Sequence, residues 1–152
     1  MPKEFQASIT IAKPLEDTFN FTSDVNNLPL WSGASAVEVV VENPLKIGSE
    51  YKVTFTSLLK KTNILIRITE YRAPYFWAFK TQEPPVATSS YIFENVEEGT
   101  KVTLNYTQEQ DPSLLADMAI KRKMEKLLAN LRNTLQVHNA DTRLRRGFGG
   151  QA

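Results

Sequence analysis

The chain contains no cysteine, which excludes disulfides, thiolate metal sites and a cysteine nucleophile. Histidine is almost as scarce. The single His138 would have to serve any Ser-His-Asp triad or imidazole metal site, and the spacing either needs is missing around it. Long apolar runs are lacking too: no stretch approaches the roughly 20 residues of a membrane span, so no integral membrane segment is expected. Nor is there a charge excess, with 18 Lys plus Arg against 17 Asp plus Glu, so no uniform field draws in DNA or an anionic membrane. Met1-Pro2-Lys3-Glu4 leads into a strand pattern with no apolar signal-peptide core, and a cytoplasmic location is expected.

What is present is dominated by one stretch, Asp111 to His138. Asp111-Pro112 reads as a helix start, because an Asp side chain accepts from free N–H groups and Pro suits the first helical position. No Gly or Pro follows until Gly147. Ile120, Met124, Leu127, Leu128, Leu131 and Leu135 fall within about a third of the helix circumference, opposite Arg122, Lys123, Lys126, Asn130 and Asn133. At about 1.5 Å per residue this helix is about 40 Å long. Nothing else has that length, so its packing partner is expected to be sheet.

The remainder alternates as strands do. Phe5, Ala7, Ile9 and Ile11 share one face, and Pro14 opens a short helix with Leu15 and Phe19 together. Val25 to Trp31 reads as a further turn or two of helix. Six strands follow, marked by Val37–Val41, then Tyr51/Val53/Phe55, Ile64/Ile66/Ile68, Phe76–Thr81, Ser89/Tyr91/Phe93 and Val102/Leu104/Tyr106. Turn signals at Asn43-Pro44, Gly48, Lys60-Lys61, Pro74, Glu83-Pro84-Pro85 and Glu97-Glu98-Gly99 separate them. One domain is expected over residues 1–139. The tail, 140–152, holds Arg143, Arg145 and Arg146 before a Gly-rich run, and disorder is expected there. The sharper alternative for it is a basic contact to phosphate or an acidic partner.

The order is strand, two short helices, a six-stranded meander and one long helix, an α+β pattern with a curved antiparallel seven-stranded sheet around the C-terminal helix. In this the sequence resembles the START/Bet v 1-like superfamily, the helix-grip or SRPBCC proteins. Within it the chain is most similar to the polyketide cyclase/dehydrase and lipid-transport branch. The resemblance rests on Ile11-Ala12-Lys13-Pro14-Leu15-Glu16-Asp17-Thr18-Phe19, Asp24 through Leu28-Pro29-Leu30-Trp31 and Pro44-Leu45-Lys46-Ile47-Gly48-Ser49-Glu50-Tyr51. Ile68-Thr69-Glu70-Tyr71 and Gly99-Thr100-Lys101-Val102-Thr103-Leu104 complete it, over about residues 3 to 138. It implies an apolar cavity between sheet and long helix that takes a small hydrophobic molecule. These are fold signatures; they do not choose among uses of the cavity.

Strand alternation supplies candidate lining residues: Trp31, Tyr51, Phe55, Ile66, Trp77, Phe79, Tyr91, Phe93, Leu104 and Tyr106, with Leu114, Met118, Lys121 and Met124 from the helix. The plainer alternative is that they fill a core. Asp117 and Lys121, four apart, read either as a solvated ion pair or as a polar gate where Lys121 meets a ligand carboxylate. No catalytic residue and no metal ligand is assigned, and no cofactor is expected. Arg67, Glu94 and Lys80 fall on the outer face by alternation, and His138 sits at the far end of the helix. Arg122, Lys123, Lys126 and Arg132 read as a solvated face, so no nucleic-acid partner is expected. The sequence sets no oligomeric state.

The expected role is therefore binding or carrying a small hydrophobic ligand, whether lipid, quinone, isoprenoid or polyketide-like. The alternatives are a cyclase or dehydratase working through preorganised tyrosines, and a regulatory interaction module. An unpaired interior acid or base would mark the enzyme, a smooth apolar lining the carrier, and a filled core with an exposed apolar patch the interaction module.

Overall fold

The computed structural model describes residues 3–83, 86–110 and 113–149, with side chains through 137. Strand β1, Lys3–Ile11, alternates half-buried and exposed residues as its sequence does. Helix α1, Leu15–Ser23, a 3-10 turn over Val25–Asn27 and helix α2, Leu28–Trp31, follow. Then come β2 (Ala36–Val41), β3 (Glu50–Thr56), β4 (Lys61–Arg72), β5 (Phe76–Thr81), β6 (Ala87–Val96) and β7 (Gly99–Gln108). Helix α3, Leu114–Gly149, closes the chain.

All seven strands form one antiparallel sheet in the order β1-β7-β6-β5-β4-β3-β2, the helix-grip arrangement expected from the element order. Each consecutive pair is a hairpin except that β7 returns to β1, so only β1 and β2 are edges. The β7–β1 closure is anchored at one corner, where Thr100 Oγ1 donates to Lys13 O at 2.8 Å. Gly99 sits beneath that corner with φ +139, and a Cβ there would lie 2.2 Å from the Ile11 carbonyl oxygen. Only glycine fits so close a backbone approach.

The register shows which side chains share a face, because directly paired residues project the same way. One row runs Trp77, Tyr91, Leu104, Ala7, and the next runs Ile68, Phe79, Ser89, Tyr106, Phe5. Tyr51 pairs with Ile66, and Val53 with Ile64. The expected inner sets of β3 to β7 are therefore in phase with one another. One departure occurs in β4: a bulge between Ile68 and Glu70 resets the alternation. Strict alternation would turn Glu70 inward; the bulge leaves it exposed and pairs Tyr71 with Trp77.

Helix α3 buries Met124, Leu128, Leu131 and Leu135, with Ile120 and Leu127 half-buried beside them. Burying four such side chains contributes roughly 6–12 kcal/mol before entropy is counted. Its N-cap is Ser113, whose Oγ accepts from Ala116 N at 3.2 Å. Asp111 and Pro112, the expected helix start, lie outside the described residues. The helix continues past residue 139, with no Gly or Pro before Gly147 to stop it. The side chains of the tail, and that of His138, lie outside the described residues. No described helix is long and apolar enough to cross a membrane.

Candidate functional site

Sheet, α1, α2 and α3 enclose one apolar interior, and its centre is aromatic. Trp77 stacks on Tyr91 with ring centroids 5.0 Å apart and planes 10° apart. Trp31, brought in by α2, meets Tyr91 edge-on at 6.0 Å, and Phe79 lies 5.6 Å from Trp77. At the α1 end, Phe19 packs edge-on against both Phe93, at 5.1 Å, and Tyr71, at 5.4 Å. These contacts follow from the register, which sets Trp77 opposite Tyr91 on neighbouring strands.

The polar atoms of this cluster set its chemistry. Trp31 Nε1 and Trp77 Nε1 are buried and have no hydrogen-bond partner among the described residues. An unpaired buried donor costs roughly 1–3 kcal/mol, so two in one aromatic cluster are conspicuous. Burial pushes the Tyr91 hydroxyl well above the ordinary phenol range and raises Tyr106 as well, so both stay neutral donors at physiological pH. Tyr106 Oη donates to Gln108 Oε1 at 3.0 Å.

Placement of the sequence candidates divides into three groups. Trp31, Tyr51, Ile66, Trp77, Tyr91, Phe93, Leu104 and Met124 are buried in the core cluster. Phe55, Phe79 and Tyr106 are half-buried on the same face, with Phe5 and Ile64, toward the end of the sheet where β3 meets β4 in a hairpin. Leu114, Met118 and Lys121 stand outside the interior, Leu114 77% and Met118 55% exposed. The reason is rotational. Leu114 and Met118 are offset by about a quarter turn from the buried stripe, and the first turns of α3 flank the edge strand β1. There Lys3 Nζ pairs with Asp117 at 3.3 Å and Lys121 Nζ donates to Gln6 O. The Asp117–Lys121 pair considered from sequence is therefore replaced by two separate ties to β1. Asp117 Oδ1 is buried without a partner among the described residues, on this flank of the helix.

A recess that the sequence did not suggest opens at the opposite end, beside α1. It has a volume of about 250 Å³; its rim includes Asp24, Asn26, Glu42 and Lys46, and its floor Tyr51, Ile68 and Tyr71. Only the β4 bulge brings Tyr71 to that floor, and a bulge leaves no clear mark in a single sequence. Among the described residues no group of His, Asp and Glu is arranged to hold a metal ion.

A family model described as polyketide cyclase/dehydrase and lipid transport matches residues 2–136. No curated protein matches the chain. Among solved structures, a protein of Thermus thermophilus superposes with a TM-score of 0.73 at 20% identity, over 90% of this chain and 99% of that one. The Zhui aromatase/cyclase of a Streptomyces species gives 0.74 at 12% identity, over 96% of both chains. The di-domain aromatase/cyclase BexL, from the BE-7585A biosynthetic pathway, gives 0.73 at 22% identity over 88% of this chain and 46% of BexL. At these identities the likeness is one of fold.

Proposed function

The chain belongs to the polyketide cyclase/dehydrase and lipid-transport family, and on that premise we propose that its interior holds a small, flat, apolar molecule carrying a hydrogen-bond acceptor such as a ring carbonyl. The observation that carries this is the pair of unpaired donors, Trp31 Nε1 and Trp77 Nε1, set around the Tyr91 ring. A carbonyl oxygen supplied by a ligand satisfies a donor that the protein leaves unpaired, while the rings bury the ligand's faces. On this reading the ligand enters at the end of the sheet where Phe55, Phe79 and Tyr106 are half-buried. Quinones and polyketide-like rings fit this chemistry better than saturated chains, which have no ring face to stack.

Carriage is favoured over catalysis by the interior's titratable groups. Those paired onto the inner face of β3 to β7 are the tyrosines 51, 71, 91 and 106. The Zhui and BexL proteins bear the name aromatase/cyclase, which supports a second reading in which neutral Tyr91 donates to a ring carbonyl during cyclisation. Titration with 1,4-naphthoquinone tests the first reading. Saturable quenching of tryptophan fluorescence is expected, weakened in Trp77→Phe and in Trp31→Phe. Quenching that rises linearly without saturation, in wild type and variants alike, would refute it.

A further inference from the structure

The turn joining β3 to β4 is tied by Ser57 N to Lys60 O at 2.8 Å and Ser57 Oγ to Lys60 O at 3.2 Å. At its tip Leu58 is 102% exposed and Leu59 99% exposed, followed directly by Lys60 and Lys61, both exposed. Two adjacent leucines with no apolar neighbour are costly in water, and nothing in the hairpin's own pairing needs them. On its β5 side the hairpin also overhangs the sheet, whereas on the β2 side Ala36 and Ser35 flank it as far as Thr54 and Thr56. The segment after β5 makes its last bond to β4 at Leu65 O, from Gln82 N. From Leu65 to Lys61 the ribbon therefore runs about 13 Å beyond β5, at about 3.3 Å per residue, and the Leu58-Leu59 tip lies past Ser35 on the other side.

The strand register shows what else lies at this end. Thr81 of β5, Ala87 of β6, Gln108 of β7 and Lys3 of β1 all fall toward it. Lys3 pairs with Asp117, which fixes the start of α3 there as well. That start exposes Leu114, Leu115 (80% exposed) and Met118. It is also the end at which Phe55, Phe79 and Tyr106 are only half-buried. Exposed apolar residues thus come from two separate elements at this end, with two lysines on the more prominent one. Lys60 and Lys61 form no ion pair with a described residue, whereas Lys80 and Glu109 satisfy each other at 3.7 Å.

We propose that this end docks on an anionic lipid surface, Leu58 and Leu59 entering the acyl boundary while Lys60 and Lys61 meet the headgroups. A projecting two-leucine tip flanked by cations matches the layered chemistry of a bilayer interface, apolar below and anionic above. A flat protein partner would call for a continuous patch instead. The chain's overall charge is balanced, so the attraction is local to the tip and acts only at contact. An apolar ligand would pass directly between bilayer and interior, but the docking stands on the surface residues and not on that ligand.

The test is co-sedimentation of the full chain with phosphatidylcholine vesicles containing about 30% phosphatidylserine. Wild type is expected to pellet, and less so with phosphatidylcholine alone. Leu58→Ser/Leu59→Ser is expected to lose at least about tenfold in vesicle affinity with its melting temperature unchanged, since neither leucine touches the core. Lys60→Gln/Lys61→Gln is expected to erase the preference for phosphatidylserine and its salt dependence. The proposal is overturned if wild type stays in the supernatant, or if the leucine variant pellets equally. It is overturned too if wild type is a dimer that the leucine variant makes monomeric, which would assign the leucines to self-contact. Vesicle binding together with a failed naphthoquinone titration would sustain the docking and remove only the ligand reading.

Discussion

Replacing Trp77 by phenylalanine removes one indole N–H while keeping an aromatic ring against Tyr91, and two opposed effects decide the result. The smaller ring forfeits roughly 50 Å² of buried area, about 1.3 kcal/mol, and the void it leaves costs about 1 kcal/mol more. Against this, the substitution deletes a buried donor with no partner, a burden of roughly 1–3 kcal/mol on the ligand-free protein. The net change in unfolding free energy is therefore expected to stay within about 1 kcal/mol, far less than the ~3–5 kcal/mol of a Trp77→Ala truncation. Guanidinium denaturation of the ligand-free variants measures both. In the naphthoquinone titration the same Trp77→Phe change is expected to weaken binding about tenfold, the worth of one hydrogen bond. A stability loss beyond about 3 kcal/mol in Trp77→Phe would mean that the indole N–H already has a partner. The indole would then not be awaiting a ligand's acceptor.

Three further outcomes follow from the geometry. Gly99→Ala places a Cβ 2.2 Å from a backbone oxygen that cannot shift without opening the β1–α1 corner, so a loss of at least about 3 kcal/mol is expected on denaturation. A loss under about 1 kcal/mol would contradict that tight approach. Along α3, Leu131→Ala, at a fully buried position, is expected to cost about 3–5 kcal/mol and Leu114→Ala under about 0.5, so equal costs would refute the placement of the helix face. Burial raises the Tyr91 and Tyr106 hydroxyls above the ordinary 10.0, so the unfolded chain releases these protons first. Their contribution to stability is intact below pH 10 and is lost as pH climbs above it. Ionisation of Tyr91 and Tyr106 should accordingly lag until unfolding, and their reversible ionisation near pH 10 in the folded protein would count against it.

The fold was legible because its signals are local and repeat. Alternation in β3, β6 and β7 places Tyr51, Tyr91 and Leu104 on one face, and a single register error would have turned an entire strand outward. The apolar stripe from Met124 to Leu135 marks the buried side of α3 in the same way. What escaped depends on irregularity or on neighbours distant in sequence. The bulge after Ile68 inverts Glu70 and Tyr71, and alternation carries no warning of it. Leu114 and Met118 read as cavity lining although helical spacing already sets them a quarter turn or more from the stripe, and only the Lys3–Asp117 and Lys121–Gln6 ties reveal that the start of α3 lies against the β1 edge. The recess beside α1 joins Asp24, Glu42 and Lys46 from separate loops, and no spacing rule links them.

The proposed function requires the interior to hold a small apolar molecule. Native mass spectrometry of the protein, purified without detergent or solvent extraction and compared with the same sample after denaturation, tests it most directly. An additional mass is expected, retained in the native spectrum, released on denaturation and diminished in Trp77→Phe. A native mass equal to that of the polypeptide alone, unchanged after incubation with naphthoquinone, would contradict it.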